Sequence, residues 1–370
     1  MKALRKRFSK GLRAGQLGFV KYLVKRSIIL FLVLIAVIVS IVLIAGGFGI
    51  MDRIQRLQIQ REILDLIRAN PNSGKWTSEE RQAFIANMTI LLEKARGLDQ
   101  PFYTRVFGYT YQVLVWDFGR TQILTSSSGS NLVRDLIVER LPRTILLFTT
   151  STLISAVAGI AVALAVARKP LSILDRATSA YAVITNSIPW WWFGMIMIII
   201  LAFYAKLLPS GGYVSVPAPT NSVAYAMDVL YHMILPTTTI VLISFGGWAY
   251  VVRSILLDVF QQDFILFARA KGLKERVVMY RHALRAAMSP VVTMLLFSLV
   301  GSLGGAIITE TVFDWQGMGV LFYAAILQQD LPVIVALTFV FAFLTIIVVL
   351  LLDIIYAILD PRVRTAPVST

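Results

Sequence analysis

The sequence predicts an all-α protein that crosses a lipid bilayer several times. Of its 370 residues, 57% are hydrophobic and only 15% are charged, whereas soluble domains carry about 25% charged residues. The alternating pattern of a membrane barrel is absent, and a backbone in lipid must satisfy its own hydrogen bonds, so we expect helices. A span takes about 20 apolar residues. Six windows meet this requirement: 27–50, 144–167, 178–205, 233–252, 286–309 and 331–352.

The distribution of charge predicts the side of the membrane that each loop faces. Residues 1–26 carry nine Lys or Arg and no acid. With this end in the cytoplasm, 21 basic and 6 acidic residues lie on that side, in segments 1–26, 168–177, 253–285 and 353–370. The opposite side holds 14 of each, in segments 51–143, 206–232 and 310–330. Both termini are therefore predicted to be cytoplasmic. Topology and anionic headgroups account for the excess of positive charge, and nucleic-acid binding is not needed to explain it.

These windows divide the chain into a basic cytoplasmic segment 1–26, a first helix 27–50, an extracytoplasmic subdomain 51–143, a helical core 144–364 and a short cytoplasmic tail 365–370. In the subdomain, Thr77 precedes Glu80 by three residues, which predicts a capping box at the start of a helix. Two interpretations of the subdomain stay open. It either covers the mouth of a pore or provides a docking surface for an external protein.

Several classes of function are disfavoured by residues that the sequence lacks. There is no cysteine, and the only histidines, His232 and His282, are predicted on opposite sides of the membrane, so a thiolate or histidine metal site is not expected. No catalytic constellation and no Walker A string occurs. Apart from Asp353, the predicted spans lack the ionisable groups that ion-coupled transporters use. If the chain transports a solute with input of energy, the energy enters through another polypeptide.

Two further features have alternative interpretations. The second window is rich in Ser, Ala and Gly, and the fifth holds Gly301, Gly304 and Gly305. Small residues allow close helix packing, and the same surfaces would suit a sliding seam. The tryptophans 190–192 follow Pro189 and either anchor the protein at the interface, which we favour, or line a substrate path.

The richest local pattern lies in the basic loop 253–285. Ala268, Ala270 and Gly272 are small, so a short helix and its turn would fit a groove on a partner, and Gly272 suits the left-handed turn at a helix end. We expect Pro290 to mark the return of the chain into the bilayer. A pore without its own motor needs such a surface if a soluble motor is to drive it. An ATP-independent channel would not need such a surface. A channel is therefore the alternative interpretation to a motor-driven pore.

At these residues the chain resembles a known family. The strings Ala268-Arg-Ala-Lys-Gly-Leu273 and Arg281-His-Ala-Leu-Arg285, with Pro290, look like the coupling-loop signature of ABC-importer permeases, in the form used by the dipeptide/oligopeptide/nickel branch. The general Glu-Ala-Ala start of this signature is replaced by Leu266, Phe267 and Ala268. Other blocks that agree include Asp117-Phe-Gly119, Glu139-Arg-Leu-Pro142, Ser187-Ile-Pro189, Leu208-Pro-Ser-Gly-Gly-Tyr213, Glu310-Thr-Val-Phe313, Gly317-Met-Gly319 and Leu359-Asp-Pro-Arg-Val-Arg364.

The resemblance implies the type I ABC importer permease fold and a B-type subunit in the cell membrane. Such a subunit would pair with a homologous C-type permease, two ABC ATPase subunits and an extracytoplasmic substrate-binding protein. Mg-ATP would be bound by the ATPases, with no cofactor and no catalytic residue in this chain. The residues that would contact an ATPase are Ala268, Arg269, Ala270, Lys271, Gly272, Leu273, Lys274 and Glu275. Di- and oligopeptides are the expected substrates, with cellobiose-like oligosaccharides and nickel as alternatives. The residues of the substrate path are not predicted.

Overall fold

A computed structural model describes the backbone of residues 2–303 and 307–359. Over those residues the fold is all-α, as predicted, and the only extended pairing is one isolated antiparallel bridge between Arg120 and Leu132. The helices are α1 (Lys2–Gly47), α2 (Ile50–Ala69), α3 (Ser78–Ala95), α4 (Phe102–Leu114), α5 (Val133–Val166), α6 (Ile173–Ser187), α7 (Trp190–Met197), α8 (Ser222–Phe260), α9 (Asp263–Ala270), α10 (Glu275–Val277), α11 (Leu284–Leu303), α12 (Ile307–Val312), α13 (Met318–Leu327) and α14 (Leu331–Leu359).

Five stretches are long and apolar enough to cross a membrane: Val24–Gly47, Val133–Val166, Ser222–Phe260, Glu275–Leu299 and Leu331–Leu352. The third predicted window differs from the prediction of one helix. It consists of Ile173–Ser187 and Trp190–Tyr204, which meet at an angle of 99°. The break has a local cause, because a residue before proline is pushed out of the helical region, and Ile188 before Pro189 is extended with φ −96° and ψ 127°. The pair brings the number of spans to six if it is counted as one.

Three of the long apolar helical stretches begin well before their predicted windows, and the second begins at Val133 rather than 144. The fourth span begins at Ser222 rather than 233, where the Asn221 side chain accepts hydrogen bonds from the backbone N–H groups of Val223 and Ala224, a common helix start. The fifth begins at Glu275 rather than 286, and Pro290, expected to mark the return of the chain into the bilayer, lies inside α11 after a π-helical stretch, Val278–Ala283. Three parts of the prediction lie outside the described residues: Gly304 with Gly305, the block that ends at Arg364, and the tail 365–370.

The described residues fall into two compact units, and one of them comprises Ile29–Arg140 with Leu321–Phe343. In this unit α2 and α3 pack as a pair, with Ile59, Ile63 and Ile67 buried against the apolar face of α3. The capping box is confirmed, since the Thr77 N–H donates to Glu80 Oε2 at 2.8 Å and the Glu80 N–H to Thr77 Oγ1 at 3.2 Å. The segment 51–140 thus folds into packed helices within a unit that also includes residues 29–50 of the first span and residues 321–343.

The other unit is built on Leu141–Val320, and its spans pack through small residues. A Cβ on Gly159 in α5 would overlap the Trp248 side chain and lie 2.9 Å from the backbone N of Ala249. A Cβ on Gly246 would lie 2.7 Å from Cδ1 of the Tyr181 ring. Only glycine permits these approaches of α8 to α5 and α6, so packing accounts for the small residues at these positions.

Candidate functional site: a helical elbow and an uncharged cavity

The basic loop of the sequence forms a compact helical elbow, which we define as residues 260–285. Helix α8 ends at Phe260, α9 runs over Asp263–Ala270, and the chain turns at Gly272 before α10. Gly272 has φ +74°. The Leu273 N–H reaches the Ala268 carbonyl at 3.4 Å and the Gly272 N–H reaches that of Arg269 at 2.9 Å. This is the hydrogen-bond pattern of a Schellman helix end, so the predicted role of Gly272 in the turn is confirmed.

One face of the elbow packs on its own membrane helices. Ile265 is fully buried and Ala268 is 5% exposed, and both belong to an apolar cluster with Leu256, Val278 and Ala283. The short α9 is thus tied to the end of α8 and to the π-helical stretch that leads into α11 by burial of apolar surface, which is the dominant force in such contacts. A push on α9 would be transmitted to those two helices.

The other face of the elbow is open. Of the eight predicted contact residues, Ala268 is buried in the apolar cluster of the elbow. The remaining seven are exposed: Arg269, Ala270, Lys271, Gly272, Leu273, Lys274 and Glu275. The sequence pattern missed three exposed apolar side chains beside them, Phe264, Leu266 and Phe267, at 42%, 53% and 61% exposure. Large exposed apolar groups of this kind mark interaction surfaces. The helical spacing places Leu266 and Phe267 on the face away from Ile265 and Ala268, and this is the signal that periodicity could have provided.

Internal contacts hold the exposed face in shape. Arg269 Nε donates to Glu275 Oε1 at 2.9 Å, and its guanidinium lies 5.5 Å from the centre of the Phe260 ring. Lys271 Nζ lies 4.6 Å from the centre of the Phe267 ring. Such exposed pairs are each weak. The Arg269–Glu275 pair joins the two arms of the elbow on either side of Gly272, and the two cation–π contacts lie within the arm that precedes it.

A cavity of about 530 Å³ lies among the membrane helices of the same unit. Among the described residues its lining has no charged side chain and comprises Phe148, Thr152, Ser155, Asn186, Trp190, Ile240, Ile243, Ser244, Gly247, Trp248, Val251, Met294, Ser298 and Gly301. Asn186 and Trp190 flank the bend between α6 and α7, so the bend opens this space. The Ser244 hydroxyl is buried and has no hydrogen-bond partner among the described residues. The cavity can offer hydroxyl and amide groups and aromatic faces to a solute, and no ionic contact.

Residues 155–365 match the family model described as binding-protein-dependent transport system inner membrane component. The chain is 35% identical to the oligopeptide transport system permease protein AppB of Bacillus subtilis, over 72% of this chain and 82% of that protein. It is 32% identical to the dipeptide transport system permease protein DppB of Lactococcus lactis, over 74% and 84% of the two chains. It is 30% identical to the oligopeptide transport system permease protein OppB of Haemophilus influenzae, over 81% and 92%.

The chain belongs to this permease family.

The family block at Glu310 to Gly319 forms a buried anchor in the permease. Glu310 is fully buried and accepts hydrogen bonds from Thr144 Oγ1 at 2.8 Å and from the backbone N–H groups of Gly319 and Val320 at 2.8 and 3.1 Å. A Cβ on Gly317 would lie 2.6 Å from Glu310 Oε1. Gly317 is therefore required by the close approach of the Glu310 carboxylate, and this carboxylate joins the block to α5 through Thr144.

An ion pair links the two membrane helices that lead to the elbow and the cavity. Arg253 on α8 donates through Nε and Nη2 to the Asp175 carboxylate on α6, with 2.7 Å between Nη2 and Oδ2. Asp175 is 2% exposed and also accepts from the Leu171 N–H at 2.8 Å. The sequence placed both residues in loops because each lies at the end of an apolar window. Opposite charges at the ends of two spans on the same side are the signal that could have paired them.

Proposed function

We propose that this chain is the B-type permease subunit of an ATP-driven, binding-protein-dependent importer of di- and oligopeptides. The observation that carries the proposal is the elbow: an exposed aromatic and basic face on a helix whose opposite face is buried among the membrane helices. Such a helix can move the membrane helices only if another protein binds its exposed face and applies force to it. The peptide substrate is supported by the names of the three relatives and by the cavity, where uncharged hydroxyl and amide groups suit peptide backbones of any side-chain charge.

The complete machine would contain a homologous C-type permease, two ABC ATPases that bind Mg-ATP, and a substrate-binding protein outside the cell. Closure of the ATPases would move the two elbows and switch the pore between two packed states. In this arrangement both termini and the elbow are cytoplasmic. A cysteine-free chain allows a direct test with single cysteines. Gln82→Cys should react with an impermeant maleimide in intact cells, and Lys274→Cys only after permeabilisation. The reverse pattern would contradict the topology.

The decisive experiment is a variant of Gly272. An added Cβ there would meet no atom within 4 Å, and asparagine tolerates the left-handed conformation, so Gly272→Asn adds bulk to the exposed face with little strain. We expect the complex to assemble in part and peptide uptake to be lost. The matched control is Gly129→Asn, because Gly129 has φ +79° and equally open surroundings but lies in the other unit. Normal uptake by the Gly272 variant would refute the role of the elbow.

Oligosaccharide import by the same machinery is the second candidate, because Trp190 and Trp248 both line the cavity and aromatic faces stack on sugar rings. Uptake of labelled peptides and of cello-oligosaccharides by cells that express the complete operon would separate the two. A channel would be identified differently. The chain reconstituted alone in liposomes would then conduct, and no ATPase would co-purify with it.

A further inference from the structure

Helix α4 (Phe102–Leu114) exposes a row of aromatic side chains. Tyr103, Phe107 and Tyr111 follow each other at intervals of four residues, which places them on one helix face, and they are 71%, 82% and 66% exposed. Three large exposed side chains on one face form a contiguous apolar surface, and such surfaces mark interaction sites. We refer to this row of three side chains as the aromatic ridge.

The opposite face of α4 is packed, and it carries the only charged residue of the helix, Arg105. Val106, Tyr109 and Val113 are buried, and burial raises the pKa of the Tyr109 hydroxyl. Arg105 donates to Asp52 at 2.6 and 3.0 Å, and its side chain is only 9% exposed. The face that carries the ridge therefore has no charged residue, whereas a helix face that meets water normally carries several.

Both ends of α4 contact apolar membrane helices of the same unit. At its start, the Phe102 ring occupies the space beside Gly46 that a Cβ would need, and Gly46 lies in the last turn of the first span. Two residues past its end, Trp116 packs edge-on against Phe339 and Phe343 of α14, with ring centres 6.0 and 5.6 Å apart. Phe339 lies about 12 Å along α14 from Leu331, at 1.5 Å per residue. The helix is thus held at the level of the span ends rather than above them.

We propose that α4 is an interfacial helix that lies on the bilayer, with the aromatic ridge in contact with lipid. Tyrosine and phenylalanine are suited to the boundary between headgroups and acyl chains. The continuity of α4 with two spans and its uncharged face favour lipid over a protein partner. Because the ridge has no basic residue, the contact should not require anionic lipid. The inference does not depend on the peptide-import proposal.

The absence of cysteine permits a clean test by site-directed spin labelling of the full chain, with any partners that co-purify, in phosphatidylcholine vesicles. Nitroxides on Phe107→Cys and Tyr111→Cys are compared with one on Gln82→Cys, an exposed position on α3. Both native side chains are largely exposed, so their removal leaves no cavity. We expect the ratio of collision with oxygen to collision with a water-soluble nickel chelate to be several-fold higher at 107 and 111 than at 82.

Quenching of a fluorophore on the same cysteines by lipids brominated along the acyl chain provides an independent readout, and strong quenching at 107 but not at 82 is expected. Two results would overturn the proposal. Collision with the nickel chelate at 107 and 111 as frequent as at 82 would show that the ridge faces water. Low collision with both reagents, without lipid quenching, would show that protein covers it, as in a docking surface for the binding protein or the second permease.

Discussion

Removal of Arg253 should destabilise the permease strongly, because it leaves the buried carboxylate of Asp175 without its partner. Its partner Asp175 is 2% exposed, so Arg253→Met leaves a buried carboxylate with one backbone N–H donor, that of Leu171. Two charges about 4 Å apart at an effective dielectric constant of about 20 attract by about 4 kcal/mol. Breaking a buried pair on one side costs about 3–5 kcal/mol. Both arguments lead to a loss of about 4 kcal/mol in the free energy of unfolding.

The measurement is a double-mutant cycle on purified protein in mixed micelles, with unfolding by SDS followed by tryptophan fluorescence. Asp175→Asn removes the charge and keeps an acceptor for the Leu171 N–H, so the double variant with Arg253→Met should be more stable than Arg253→Met alone, with a coupling energy of about 2–3 kcal/mol. Arg253→Lys keeps the charge but cannot form both hydrogen bonds, and should fall between the wild type and Arg253→Met.

Arg176→Met is the matched control, because Arg176 lies next to Asp175 on the same helix and is exposed. A change within about 0.5 kcal/mol is expected there. If Arg253→Met costs less than about 1 kcal/mol and its effect is additive with that of Asp175→Asn, the pair is hydrated or replaced by another contact, and the reasoning from burial fails.

Three further changes test other parts of the fold. Thr77→Ala removes the capping box of α3 and should cost about 1 kcal/mol, seen as faster proteolysis of the segment 51–143; equal rates would contradict the role of the cap. Glu310→Ala leaves the Thr144 hydroxyl and two buried N–H groups without this acceptor and should cost about 3 kcal/mol or more, whereas Glu310→Gln should cost less in the same SDS assay; equal losses would show that shape alone matters. Gly159→Leu should abolish the folded yield in size-exclusion chromatography, because its side chain would overlap the Trp248 side chain and the backbone at Ala249; a normal yield would mean that α5 and α8 are not in contact.

Helix type and approximate position could be read from local composition, but helix ends could not. The apolar windows predicted the spans because burial in lipid depends on composition summed over about 20 residues. The same reasoning placed Ser222 outside the fourth span, but the helix begins there because the Asn221 side chain caps it. The aromatic stretch after Pro101 had no assignment, because the residue that pairs with Arg105, Asp52, lies 53 positions away in the sequence.

By itself, the sequence determined the class of the protein, the order of its spans and the position of the elbow, since hydrophobic length, charge bias and a glycine at a helix end act locally along the chain. Only the tertiary structure decided which face of α9 is open, that Asp175 meets Arg253, and that an uncharged cavity opens at the bend after Ser187. These features depend on the packing of helices that are distant in sequence, and the free energy of such contacts is not encoded in the periodicity of any one segment.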